Sequence, residues 1–188
     1  MADHFVVGLS SWIIQEGNYG DFARGDRAAF AVEFYAARAW REIAPLAAPA
    51  LVHSWGAFHV ASGRIVHLDD EWWAIDAGTV MFRKERPPPH ARLGLWVQAD
   101  IALSIDPRFY CDMLAHKADA LALIHDWRIE RIEIQTAPLL RSIGVRESAR
   151  LGWREIAKTD VWADDDGHAD YILHCRRQDG PARRTLEP

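Results

Sequence analysis

Apolar side chains recur at every second position of this chain, in short runs broken by Gly, Pro and Asp. Between residues 28 and 35, Phe30, Val32 and Phe34 alternate with Ala29, Ala31, Glu33 and Tyr35. Between 72 and 83, Trp73, Ile75, Ala77, Thr79 and Met81 fall on one parity, and Trp72, Ala74, Asp76, Gly78 and Val80 on the other. A period of two is the signature of a strand, because successive side chains leave a pleated backbone on opposite faces. Repeated along the chain, it predicts a mainly β protein.

The remaining segments fit that frame. Residues 5–15 are rich in Val, Ile and Leu and read as a first strand, ended by the turn residues Gly17, Asn18 and Gly20. Residues 36–50 are rich in Ala and Pro and read either as holding one helical turn or as an ordered crossover. Residues 53–60, 64–68 and 72–83 read as a three-strand meander, turning at Ala61-Ser62-Gly63 and again near Asp69-Asp70. Three consecutive prolines, Pro87–Pro89, make a stiff loop without ladder donors, after which residues 93–105 resume as a strand. Asp106-Pro107 has the N-cap and first-position residues of a short helix reaching His116. Residues 121–135 read as a long strand whose apolar phase slips between Ile129 and Ile132, the mark of a β-bulge or of a helix–strand ambiguity. A last hairpin pairs 153–162 with 170–176 across the acidic tip at 163–168.

Two places share a cadence: Phe22-Ala23-Arg24-Gly25-Asp26 and Arg92-Leu93-Gly94-Leu95-Trp96-Val97 each set a glycine just ahead of an alternating strand. This resembles the entry into strands of small five-stranded barrels of OB type. The expected architecture is a partly open antiparallel barrel with one or two short helices. Residues 1–176 form one β-rich domain, with a weak division near 84–92, and residues 177–188 form a polar, frayed tail.

Composition narrows the functional classes. The formal net charge of −5 gives no mean field toward phosphate backbones, which disfavours nucleic acid as a partner. Cys111 and Cys175 have no CxxC spacing and read as free thiols. The start, Met1-Ala2-Asp3-His4, is acidic where a signal peptide is basic, and the apolar run behind it is too short to span a bilayer; the expectation is a cytoplasmic protein without a membrane segment. No GxSxG, GxxxxGK[ST], GxGxxG or HExxH occurs, which strongly disfavours serine-hydrolase, P-loop, Rossmann and zincin chemistry but says little against a small barrel enzyme with scattered acids and bases. No cofactor is expected.

Chemistry-bearing residues are dispersed. Nine tryptophans suit the walls of a pocket or the filling of a core. Trp72, Asp76, Arg83, Trp96, His125 and Arg128 are the candidate ligand-binding set, with Arg128 as an anion clamp; Asp126, Arg128 and Glu130 share a face as a charge ladder. His59 and His67, opposed across the predicted hairpin, are weak metal candidates, whereas His53 and His59 on one strand stand too far apart to share an ion. The acidic tip fails as an EF-hand, because Cys175 stands where the twelfth-position Glu belongs. Basic residues Arg83, Lys84, Arg86 and Arg92 near Trp72, Trp73, Phe82 and Trp96 suggest an OB-type groove for single strands. The leading reading is a non-enzymatic barrel that binds an unidentified small molecule or protein. The alternatives are a small lyase, isomerase or hydrolase run by Asp76, His125 and Arg128, and a single-strand nucleic-acid binder.

Overall fold

The computed structural model describes residues 4–36, 40–136 and 152–186; Met1–Asp3 of the N-terminal reading, residues 37–39 of the crossover and the last two residues of the tail lie outside it. The chain is mainly β. Its strands are β1 (His4–Ser10), β2 (Arg27–Phe30), β3 (Val32–Ala36), β4 (Arg41–Glu42), β5 (Ala50–Trp55), β6 (Phe58–Leu68), β7 (Trp73–Asp76), β8 (Val80–Arg83), β9 (Trp96–Ile105), β10 (His125–Gln135), β11 (Trp153–Ile156) and β12 (Asp170–Arg177). Helix α1 (Ser11–Gln15) and short helical turns at Tyr110–Leu114 and Asp164–Gly167 complete them. Among the described residues, no helix is long and apolar enough to cross a membrane.

Five strands close on themselves in the order β9-β3-β8-β7-β6, because β6 pairs with β9 along Phe58–Arg64 as well as with β7. The barrel is therefore closed, where the sequence suggested a partly open one. It is also not wholly antiparallel, since β3 meets β8 in parallel at Glu33 and Phe82. A second stretch of sheet, β12-β10-β11, continues from β1, which lies antiparallel to β12 and touches β9 at Gly8 and Ser104.

The alternating residues behave as their period requires. Val32 and Phe34 enter the main core with Trp73, Ile75, Met81, Ile101 and Leu103, while Ala31 faces a second cluster of Trp72, Ala74, Phe82, Tyr110, Leu114 and Leu123. The first cluster fills the barrel and continues onto β1, β10 and β12. The second seals its outer wall beneath the 106–124 segment.

Several boundaries differ from the sequence reading. The first predicted strand stops at Ser10 and its remainder is α1. The 28–35 run breaks at Ala31, whose carbonyl accepts the Asp106 amide at 3.1 Å; before it the chain pairs with β10, and after it with β9 and β8. The 72–83 strand is a hairpin, turned at Gly78 (φ 98°) with the Asp76 carboxylate accepting the Gly78 amide at 2.9 Å. The meander turns at Gly56 (φ 52°) rather than at Ala61–Gly63, which run inside β6. The predicted bulge is present, as the β10–β12 register shifts between Ile129 and Arg131. The C-terminal hairpin is absent: β11 and β12 both pair with β10, on its two edges. The tail is not frayed at Arg183, which exchanges backbone hydrogen bonds with Ile124 at 2.9 and 3.0 Å.

Gly63 has a specific reason to lack a side chain. A Cβ there would overlap the backbone carbonyl oxygen of Asp76 on the neighbouring strand. Gly63→Ala must push β6 from β7 and is expected to cost about 2–3 kcal/mol, as overpacking against backbone does, measured as a lowered denaturation midpoint.

Candidate functional site

The barrel interior is occupied by its own aromatic rings. Trp73 meets Phe34 edge-on with centroids 5.0 Å apart and Trp40 edge-on at 5.0 Å, and Phe34 meets Trp40 at 5.4 Å. Trp72 lies flat on His67 at 3.8 Å in the outer cluster, and Trp127 stacks on Phe30 while its indole N–H donates to the Phe30 carbonyl at 3.0 Å. These tryptophans fill space. The exposed ones, Trp12, Trp55 and Trp162, sit outside the barrel.

The predicted ligand set does not converge. Trp72 is fully buried and offers no surface to a ligand. Asp76 caps the β7–β8 turn. Trp96 is half-buried on β9 opposite Arg64. His125 and Arg128 lie at opposite parity on β10, His125 on the face of buried Trp127 with its pKa lowered to about 4 by burial, and Arg128 on the exposed face. The acid–base grouping of Asp76, His125 and Arg128 therefore loses its geometry. Asp126 does not ladder to Arg128; it forms a two-pronged pair with Arg183 at 2.6 and 2.8 Å, and Glu130 takes Arg176 at 2.5 Å. The nucleic-acid groove loses its platform, because Trp72, Trp73 and Phe82 are buried, and Arg83 and Arg92 are paired with carboxylates.

The histidine geometry is reversed as well. His59 and His67 lie eight positions apart on the single strand β6, roughly 26 Å of chain at strand rise. His53 and His59, judged too distant, face each other across the true hairpin with ring centroids 5.1 Å apart. Burial lowers the His59 pKa to about 4. Among the described residues, no three His, Cys, Asp or Glu side chains gather as metal ligands.

One predicted residue, Arg83, does belong to a cluster. It lies on the outer wall of the barrel, where β3 and β8 meet. Glu33 is buried there; its Oε2 accepts the Tyr35 hydroxyl at 2.7 Å, and its Oε1 lies 3.6 Å from Arg83, whose guanidinium covers the Tyr35 ring at 4.2 Å. Burial raises the Glu33 pKa, opposed by the Tyr35 hydrogen bond and the Arg83 charge. Asp106 closes the cluster from the end of β9. Its Oδ2 accepts the Tyr110 amide at 3.0 Å, and its backbone carbonyl accepts the Tyr19 hydroxyl at 2.8 Å. Burial lifts its pKa to about 7, the Tyr110 amide working against the shift and the Glu33 charge with it. Asp106 Oδ1, Arg83 Nε and Arg108 Nε are buried without partners among the described residues, and Arg108 holds a left-handed backbone at φ 64°. Cys111 stands beside this cluster, and burial raises its thiol pKa.

A second feature lies at the sheet margin. Among the described residues, strand β5 pairs with β6 on one side only. Val52 is 59% exposed and Trp55 52%, and the Trp55 ring stacks on Phe58 at 4.5 Å. Residues 43–63 contain no Asp, Glu, Lys or Arg. Read from sequence, residues 36–50 belong to the crossover and 53–60 to the first strand of a meander; the absence of charge is the signal that marks the stretch as an edge. No protein-family model matches the chain, and neither a curated protein nor a solved structure does so significantly.

Proposed function

We propose that the protein is a non-catalytic interaction module that binds an extended polypeptide along β5, rather than a barrel that houses a small molecule. The carrying observation is the contrast between the two candidate surfaces. The interior is taken up by Phe34, Trp40, Trp73, Ile75 and Met81, whereas β5 offers a backbone row that no other described residue pairs, flanked by exposed Val52 and Trp55. Main-chain pairing supplies affinity in such an arrangement, and the alternate side chains supply selectivity. The test is amide hydrogen exchange with a synthetic octapeptide of alternating Val and Thr. About tenfold slower exchange at β5, lost in Trp55→Ala, is expected. Unchanged β5 exchange, together with a shifted tryptophan emission on adding a naphthalene sulfonate dye, would replace this reading with an open interior.

The Glu33–Asp106 cluster supports a second reading, general acid–base catalysis, because a carboxyl titrating near 7 is matched to proton transfer at neutral pH. It ranks below the first because Asp106 is 1% exposed and meets a substrate only if the Tyr110–Leu114 turn lifts.

A further inference from the structure

Strand β5 is lightly held. Four of its six residues, Val52, His53, Ser54 and Trp55, are exposed, so little buried apolar surface resists its departure. The ladder to β6 runs in register from Ala50–Ser62 to His53–His59 and then shifts, leaving Ser54 with no residue opposite it before Trp55 meets Phe58. Strand β6 is better anchored, because it also pairs with β9 along Phe58–Arg64.

Two histidines oppose each other at the last pair before the shift. The rings of His53 and His59 stand 5.1 Å apart, with His53 exposed and His59 buried. Each donates to a carbonyl at the hairpin tip, His53 Nε2 to Gly56 at 2.9 Å and His59 Nδ1 to Ala57 at 3.0 Å. An added proton must therefore go to the other nitrogen of each ring, and charge on both rings sets like charges directly opposite in the ladder, which weakens a strand pair. Among the described residues, no carboxylate pairs with either ring, and the charge that acts on His59 is that of His53. Asp100 of β9 stands at the other parity, opposite Val60. Beyond His53 lies His4 of β1; Glu130 favours its charge, and Arg176, His53 and Arg131 oppose it. The His4 ring is 5.5 Å from that of His174 on β12, which pairs with Glu133 of β10 at 2.8 Å.

We infer that β5 is an acid-released strand: as pH falls below neutrality it leaves β6 and takes the proposed peptide-binding edge with it, while the barrel stays closed. This names the regulation of the strand-addition site and rests on that reading. With β5 in place, burial holds the His59 pKa at about 4, and release uncovers the ring and returns it toward the ordinary 6.5. A ring that takes its proton more readily in the released state favours release as pH falls from 6.5 to 4. At pH 5 a ring titrating at 6.5 is protonated about thirty to one, so release is favoured about thirtyfold over pH 7.5.

Amide exchange in the full chain, corrected for the intrinsic rate at each pH, tests this. Protection of the β5–β6 ladder is expected to fall about thirtyfold from pH 7.5 to 5, while that of the β3–β9 ladder holds within about threefold. His59→Asn keeps a donor for the Ala57 carbonyl and takes no charge; it is expected to hold β5–β6 protection within about threefold. His53→Gln, at an exposed position, is expected to fall between the two. An equal loss in all three proteins, or a loss shared by β3–β9, overturns the release. Should His59→Asn not fold, the imidazole titration of the wild type decides: His59 titrating below pH 5 supports the release, and His59 titrating near 6.5 overturns it. The alternating Val and Thr octapeptide separates this inference from the reading beneath it. Protection of β5 by the peptide at pH 7.5 and not at pH 5 supports both, and protection at both values keeps strand addition and overturns its control by acid. No protection at pH 7.5 removes strand addition and the regulatory role with it, while release of the free strand stands or falls on the exchange of the chain alone.

Discussion

Trp73→Ala is expected to destabilise the protein by about 3–5 kcal/mol, the range for removing a large buried aromatic that its surroundings cannot collapse onto. Trp73 is 1% exposed and wedged between Phe34 and Trp40, each edge-on at 5.0 Å. Both neighbours would lose a quadrupolar contact as well as apolar area. The closed ladder of β9, β3, β8, β7 and β6 holds the surrounding backbone apart, so the void stays open. The indole N–H of Trp73 has no partner among the described residues. Trp73→Phe removes that unmet donor along with some volume, so it is expected to cost under about 1.5 kcal/mol. Trp55→Ala, at the exposed hairpin tip, is expected to change the free chain by less than about 0.5 kcal/mol. Guanidinium unfolding of the three variants ranks them. Equal losses for Trp73→Ala and Trp55→Ala would mean that the ring at 73 is not the plug of the barrel.

That ranking bears on what the sequence made legible. The parity of Phe30, Val32 and Phe34, and of Trp73, Ile75 and Met81, assigns these residues correctly to one face, because a buried face imposes period two wherever the strand runs. The bulge at Ile129–Arg131 is legible for the same reason, as a slip in that period. Partner choice is not legible. The break at Ala31 exists because the chain leaves β10 for β9 and β8, and nothing local to Ala29–Val32 records this exchange. Glycine misled in both directions, since it serves a turn through positive φ and a close approach through its missing Cβ. Gly56 and Gly78 do the first and Gly63 the second, yet Gly63 was read as the turn. That exchange of roles moved the hairpin and with it every histidine distance.

The acid cluster was half legible. Asp106 was read as a helix cap, and its carboxylate does accept the Tyr110 amide. Its burial was hidden, because the residues that cover it come from β3, the Tyr19 turn and the 106–115 segment. Glu33 falls on the parity opposite Val32 and Phe34. It is buried because the barrel has a second apolar layer on its outer wall, and an outer layer leaves no period of its own in β3.

Asp106 gives the protein a pH dependence opposite to that of an ordinary salt-bridged acid. Its pKa is raised from 3.8 to about 7 in the fold. Between those values the folded chain keeps a proton that the unfolded chain has released, so stability falls as pH rises through this window. A shift of that size amounts to about 4 kcal/mol, fully present as a penalty above pH 7 and absent below pH 4. Glu33, raised by the same burial, acts in the same sense. His59 and His125, both lowered to about 4, act against it, since they favour the fold as pH rises from 4 to 6.5. The wild-type profile therefore mixes opposing slopes, and a variant is needed to isolate Asp106. Asp106→Asn keeps an acceptor for the Tyr110 amide and cannot ionise. It is expected to match the wild type within about 1 kcal/mol at pH 4.5 and to exceed it by about 3 kcal/mol at pH 8. Urea unfolding at pH 4.5, 6 and 8 reads the difference directly. Profiles that run parallel across that range would show that Asp106 is ionised in the fold throughout, and would remove the carboxyl poised near neutrality on which the catalytic reading depends.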